Sequence, residues 1–136
     1  MKVILDSNII IAAFSSRGLC HSVFELCLDR FTIILSEHIL LEVFRIFTKK
    51  LKIPEKKVNL IIKYLREYCL VKDFEKLDES ICRDVSDDNI LALAKSSQPK
   101  YIITEDSDLL VLRKYNSIPI INPREFWNIS KKIGRH

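Results

Sequence analysis

Apolar residues in this chain fall into two kinds of run. Short unbroken runs, rich in β-branched residues, occupy 2–5, 32–35, 70–72, 101–104 and 118–121. Runs of this length predict strands buried on both faces, as in a parallel sheet. Between them the apolar positions recur at helical spacing. Helices are predicted over 7–14, 20–30, 36–48, 54–69, 87–97, 106–114 and 123–127. Leu40, Val43, Phe44 and Phe47 form one core stripe, and Val58, Ile61, Ile62 and Leu65 another. Ser36 and Ser86 are N-cap candidates, and Pro54 and Pro123 suit first helical positions. Pro119 suggests that the fifth strand is an edge. Strands alternating with helices predict a three-layer α/β/α fold with a central parallel sheet of about five strands and right-handed crossovers.

At 136 residues the chain is expected to be one domain, over 1–130, followed by a basic tail over 131–136. With 48% apolar and 29% charged residues it is globular rather than disordered. No apolar run approaches a membrane span, and an acid at position 6 comes too early for a secretory signal. The expected location is the cytoplasm. Glycine stands only at 18 and 134, which counts against a dinucleotide site built on a glycine-rich turn. Cys20, Cys27, Cys69 and Cys82 lack zinc-site spacing and are expected in the core. His21, His38 and His136 are too scattered for a histidine metal site.

The net charge is +4, and the excess is local. Arg45, Lys49, Lys50, Lys52, Lys56, Lys57, Lys63 and Arg66 share a stretch whose only acid is Glu55. This is either a solvated helical face or a surface that tracks a polyanion. The same two helices carry Ile39, Leu41, Ile46, Leu60 and Tyr64 beyond their core stripes. One fold face cannot easily bury them all, so a two-fold homodimer is expected.

The chemistry lies in the acids. Strand carboxyl ends are where open α/β sheets place ligands. Asp6 directly follows the first strand, where a lone carboxylate is costly unless paired or ligated. Glu42 lies in the second turn of the helix after strand two. Asp87 and Asp88 open a helix, and Asp106 follows strand four with Thr104 two residues before it. Asp84 and Asp108 are spares. Singly, Asp88 can serve a helix dipole, Asp106 an N-cap, and Glu42 solvent. Together, carboxylates ~4 Å apart repel by ~4 kcal/mol per pair at an effective dielectric near 20. Such a set persists if a divalent cation neutralises it, and all-oxygen ligands select magnesium or manganese.

In order along the chain these residues resemble the PIN-domain ribonucleases. The resemblance rests on Leu5-Asp6-Ser7-Asn8, on Glu42 within Ser36 to Val43, on Asp88-Asn89-Ile90-Leu91-Ala92-Leu93-Ala94, and on Thr104-Glu105-Asp106-Ser107-Asp108-Leu109. Ile120-Ile121-Asn122-Pro123-Arg124-Glu125-Phe126 resembles the closing strand and helix. Toxin-like members often show Arg-Asp-Pro-Asp-Asp-Asp where this chain has Arg83-Asp84-Val85-Ser86-Asp87-Asp88. The resemblance implies a Mg2+- or Mn2+-dependent endoribonuclease, with Asp6, Glu42, Asp88 and Asp106 as catalytic metal ligands. The fourth acid is Asp106 or Asp108, the spacing of 18 residues from Asp88 favouring Asp106. Ser7, Asn8, Thr104, Asp87 and Asp108 would support the site, and Arg45, Lys49, Lys50 and Lys52 would hold RNA. A toxin's small antitoxin is the implied partner. Two other readings stay open: a degenerate module that only binds RNA or protein, and a magnesium-binding phospho-receiver. The receiver reading expects a lysine after the fifth strand, where Asn122-Pro123-Arg124 stands.

Overall fold

The computed structural model describes residues 1–133. In chain order the elements are β1 (Lys2–Leu5), α1 (Ser7–Ser15), α2 (Leu19–Arg30), β2 (Thr32–Leu35) and α3 (Glu37–Arg45). A π-helical turn (Ile46–Lys50) extends α3. There follow α4 (Glu55–Tyr68), β3 (Leu70–Val71), α5 (Val85–Ser97), β4 (Tyr101–Ile103), α6 (Ser107–Leu110), β5 (Lys114–Tyr115), β6 (Ile118–Ile121) and α7 (Pro123–Ile133).

One sheet runs β3-β2-β1-β4-β6-β5, parallel except for the β5–β6 pair. Val3, Ile4 and Leu5 of β1 have no exposed surface, nor do Ile102 and Ile103 of β4. Successive strand residues point to opposite faces, so helices cover both faces of the sheet. The chain winds from β1 outward to β2 and β3, then returns to set β4 on the other side of β1. That reversal is the switch point at which ligand crevices open in doubly wound sheets. The ladders continue past both strand ends there. Asp6 N donates to Ile103 O, and Thr104 N donates to Ile121 O, both at 3.0 Å.

The caps explain several boundaries. Ser36 Oγ accepts from Ile39 N at 3.1 Å and starts α3 as expected. The α5 cap is Asp84, not Ser86: its carboxylate accepts from Ser86 N, so the helix starts two residues early. Pro54 precedes the first turn of α4 rather than filling it. Asn122 and Glu125 form a reciprocal capping box on α7. That helix runs on through Lys131 to Ile133, well past Trp127. The expected basic tail is thus helical up to residue 133, and residues 134–136 lie outside the described residues.

Three expectations need correction. β6 is not an edge, because the two-residue β5 pairs with it antiparallel. Pro119 is tolerated because pairing with β4 begins one residue later, at Ile120. The α6 helix stops at Leu110 instead of reaching Lys114, and the residues after it turn into β5. Ile39 is buried in the core rather than surplus to it, whereas Leu41, Leu60 and Tyr64 are exposed. Cys20, Cys27 and Cys69 are buried free thiols, and burial pushes Cys27 and Cys69 up to about 12. Cys82 is only half-buried, on the segment before α5.

Phe126 of α7 is fully buried, with ring centroids 5.5 Å from Phe31 and 5.9 Å from Tyr101. It pins α7 against the end of α2 and the start of β4. Phe126→Ala should cost about 3–5 kcal/mol by lost transfer energy and a residual cavity. Urea unfolding measures this, and a loss below about 1 kcal/mol would mean the site collapses freely.

Candidate active site

Asp6 ends β1 and also caps α1. It is 7% exposed. Its Oδ1 accepts from Ser7 N at 2.8 Å, and its Oδ2 accepts from the Thr104 hydroxyl at 2.8 Å. Asn8 Nδ2 adds a longer bond to Oδ2 at 3.3 Å. Burial pushes the Asp6 pKa up to about 6; the bonds from Thr104 and Ser7 oppose the rise, and the charges of Glu42 and Asp106 add to it.

Thr104 is fully buried at the end of β4 and holds the centre of this rim. Its hydroxyl donates to Asp6 and accepts from Asp106 N at 3.0 Å. Asp106 then caps α6 by accepting from Asp108 N at 2.8 Å. Asn8 Oδ1 accepts from Glu105 N at 3.3 Å. The end of β1 is thereby tied to the end of β4 by side chains as well as by the ladder. From the third side comes α3, whose Glu42 accepts a hydrogen bond from the Ser7 hydroxyl.

The first turn of α5 divides its two acids. Asp87 is 5% exposed and turns into the rim, where carboxylate oxygens of Asp87, Asp106 and Asp108 lie within 4.8 Å of one another. Its Oδ2 is buried without a hydrogen-bond partner. Burial pushes Asp87 up to about 7, and the neighbouring acids, Asp106 foremost, push in the same direction. Asp88 is not at the rim. It faces back along the chain and accepts from Cys82 N and Ser80 Oγ at 2.8 Å and from Ile81 N at 3.0 Å. Desolvation works to raise its pKa, but these bonds, the one from Cys82 N largest among them, hold it below the usual value. Consecutive helical residues differ by about 100° in direction, so only one of the pair can face the sheet. The Asp84 cap gives that direction to Asp87.

A cleft of about 620 Å³ opens over these groups. Asp6, Asp84, Asp87 and Asp106 line it, with Ser7 and Asn8 at its floor. Glu42, Arg45 and Lys50 stand on the α3 side, and His38 reaches it one turn before Glu42. Lys49 and Lys52 are exposed but do not line the cleft. Asp108 takes an exposed ion pair from Arg83 at 2.8 Å. Arg66, also in the basic stretch, is spent on a two-pronged pair with Glu37. The rim thus brings Asp6, Glu42 and Asp106 together as expected from sequence, and substitutes Asp87 for Asp88. Asp84, expected only as a spare acid, and His38, not expected at the site, both line the cleft. The Asp84-x-x-Asp87 spacing, a cap followed by its third helical residue, was the available signal.

Compared with known families, residues 2–108 match the PIN domain. The chain belongs to the PIN-domain family. PIN domains are generally nucleases, and they typically use divalent metals. Among solved structures, this PIN domain is similar to VapBC2 from Rickettsia felis, determined bound to a DNA fragment from its promoter. The TM-score is 0.65 at 16% identity, over 90% of this chain and 98% of the other. No curated protein matches this PIN domain in sequence. Among its described residues, no single helix is long and apolar enough to cross a membrane.

The donor set fits a hard divalent cation. It is all oxygen, and the partnerless Asp87 Oδ2 leaves a buried lone pair that a cation would satisfy. Asp6 and Asp87 titrate at about 6 and about 7 in the folded chain, above the ordinary 3.8. The folded state therefore holds protons that the unfolded chain releases. The contribution of these two groups to metal-free stability is fully present below about pH 4 and is lost as pH rises through 6 and 7. In EDTA at pH 8, Asp87→Asn should melt above the parent chain, and the gap should close toward pH 4. Asp88→Ala should do the opposite. It removes the acceptor shared by the Ile81 and Cys82 N–H groups on an exposed segment and should cost about 1 kcal/mol at both pH values. Calorimetric melting of the three chains decides; an Asp87→Asn chain that melts lower at pH 8 would show that Asp87 ionisation does not oppose folding.

Proposed function

We propose that this chain is a divalent-metal-dependent endoribonuclease in which Asp6, Glu42, Asp87 and Asp106 hold Mg2+ or Mn2+. The observation that carries this is the buried, partnerless Asp87 Oδ2 within a carboxylate cluster at the switch point of the sheet. When bound, the metal lowers the pKa of a water and favours in-line attack on phosphorus. The chain's own residues orient that chemistry. The Thr104 hydroxyl and Ser7 N–H hold the Asp6 carboxylate in one rotamer, and the Ser7 hydroxyl steers Glu42. Asp108 stands beside Asp106 as a supporting acid, its charge shared with Arg83. Asp88 serves the fold rather than the metal.

RNA as the substrate follows from the resemblance to PIN-domain ribonucleases, and the basic stretch beside the cleft supports a polyanionic ligand. The likeness to a VapBC protein supports a toxin role with a small antitoxin as partner. Leu41 and Leu60, 65% and 67% exposed on α3 and α4, support a homodimer. Cytoplasmic action on RNA is part of the same reading.

Cleavage of a single-stranded RNA by the purified chain should require Mg2+ or Mn2+ and stop in EDTA. Asp6→Asn, Asp87→Asn and Asp106→Asn should each lose roughly a hundredfold or more, since each removes a ligand rather than an outer partner. Asp88→Asn should keep most of the activity. Cleavage that persists in EDTA, or an Asp88→Asn chain as dead as Asp87→Asn, would reject this assignment. Light scattering at micromolar concentration should return twice the chain mass, and a monomer would reject the dimer.

A further inference from the structure

The helix that carries Glu42 does not end as an α-helix. Over Ile46–Lys50 its hydrogen-bond step widens to five residues, and Leu51 N donates to Ile46 O at 3.0 Å. The Thr48 hydroxyl donates back to Phe44 O at 2.8 Å, which braces the distorted turn. Phe47, in the middle of the turn, is 1% exposed, so the turn is held in the core. Single π turns are rare and gather at functional sites.

This turn changes which cation stands over the acids. On a regular α-helix, residues three and four apart are neighbours on one face. Glu42, Arg45 and Lys49 would then form one row, with Lys50 turned about 100° away from Lys49. Widening the turn delays the helix by one residue, so Lys50 takes the place that Lys49 would hold. The cleft has this composition: Glu42, Arg45, Ile46 and Lys50 line it, and Lys49 does not. Asp6, Asp87 and Asp106 line the same cleft. A polyanion approaching those carboxylates is repelled unless fixed cations face it at close range.

We infer that the π turn sets Lys50 beside Arg45 as the two side chains that hold the RNA backbone near the acids, and leaves Lys49 and Lys52 out of the strand's path. The inference rests on the ribonuclease reading and narrows it to two phosphate contacts. Arg45 supplies a planar fork that matches phosphate oxygens, and Lys50 supplies a point charge. An uninterrupted helical wheel would have chosen Lys49, so the two lysines make a direct test.

The experiment is anisotropy of a fluorescein-labelled single-stranded oligoribonucleotide, titrated with the full chain carrying Asp6→Asn to block cleavage, at several salt concentrations. Arg45→Gln and Lys50→Gln should each weaken binding at low salt and reduce the logarithmic salt slope by about 0.7, one phosphate contact on a single strand. Lys49→Gln and Lys52→Gln should leave affinity and slope unchanged. Matching circular-dichroism melts would establish that all four variants are folded. A Lys49→Gln chain that loses as much as Lys50→Gln, or a Lys50→Gln chain that loses nothing, overturns the inference. Metal-dependent cleavage by the chain with Asp6 intact is read in parallel. If cleavage stands while the two lysines behave alike, only this inference fails; if cleavage is absent, the ribonuclease reading fails with it.

Discussion

The structure depends on keeping one carboxylate, Asp6, at the end of a fully buried central strand. A charge there is costly in a low-dielectric setting unless neighbours compensate it. Compensation comes from three directions at once. The α1 backbone donates through Ser7 N, the end of β4 donates through the Thr104 hydroxyl, and Asn8 bridges the two. These bonds oppose the burial penalty without cancelling it, so Asp6 stays partly protonated near pH 6. The local architecture of α1, β4 and α6 converges on that one group, since Asp6 caps α1 and Thr104 links it to the α6 cap, Asp106.

The two acids at the head of α5 illustrate how one sequence feature can carry two physical roles. Asp87 is packed among carboxylates with an oxygen that nothing satisfies. Asp88 accepts from three donors, Ser80, Ile81 and Cys82. The first arrangement is unfavourable for folding and fits a cation. The second favours folding, and Asp88 takes no part in the cleft lining or the carboxylate cluster. Asp88 also fastens the connection that delivers Asp84 to the cleft. Instability at the cluster and stability beside it are thus adjacent on one helical turn, a common arrangement where a fold supports a strained site.

Both signs of charge meet in the cleft. Asp6, Asp84, Asp87 and Asp106 share the cleft with Arg45 and Lys50 from the end of α3. Glu42 belongs to the acids by chemistry but to α3 by chain position, and the Ser7 hydroxyl ties it to α1. Cations beside carboxylates suit the proposed phosphodiester ligand, whose backbone charge needs fixed positive partners. The PIN-domain assignment over residues 2–108 agrees with such chemistry.

Most of the frame was legible from local pattern. The buried strands declared themselves as short β-branched runs, and Asp6, Glu42 and Asp106 could be placed at a common rim because each sits at a fixed offset from a strand or a capped helix. Those offsets are local, and local rules hold over a few residues. Three decisions needed tertiary structure. Asp87 and Asp88 are equivalent as letters, and only the start of α5 at Val85, set by the Asp84 cap, determined which one turns inward. The edge role of Pro119 failed because a two-residue strand, too short to leave a hydrophobic signature, pairs beside it. The basic stretch could not be resolved into cleft and solvent, because the π turn at Ile46–Lys50 shifts the helical register and periodicity assumes an unbroken helix. In each case the deciding term is a backbone geometry (a cap, a short hairpin or a one-residue shift in register) that the alternation of hydrophobic and polar residues does not record.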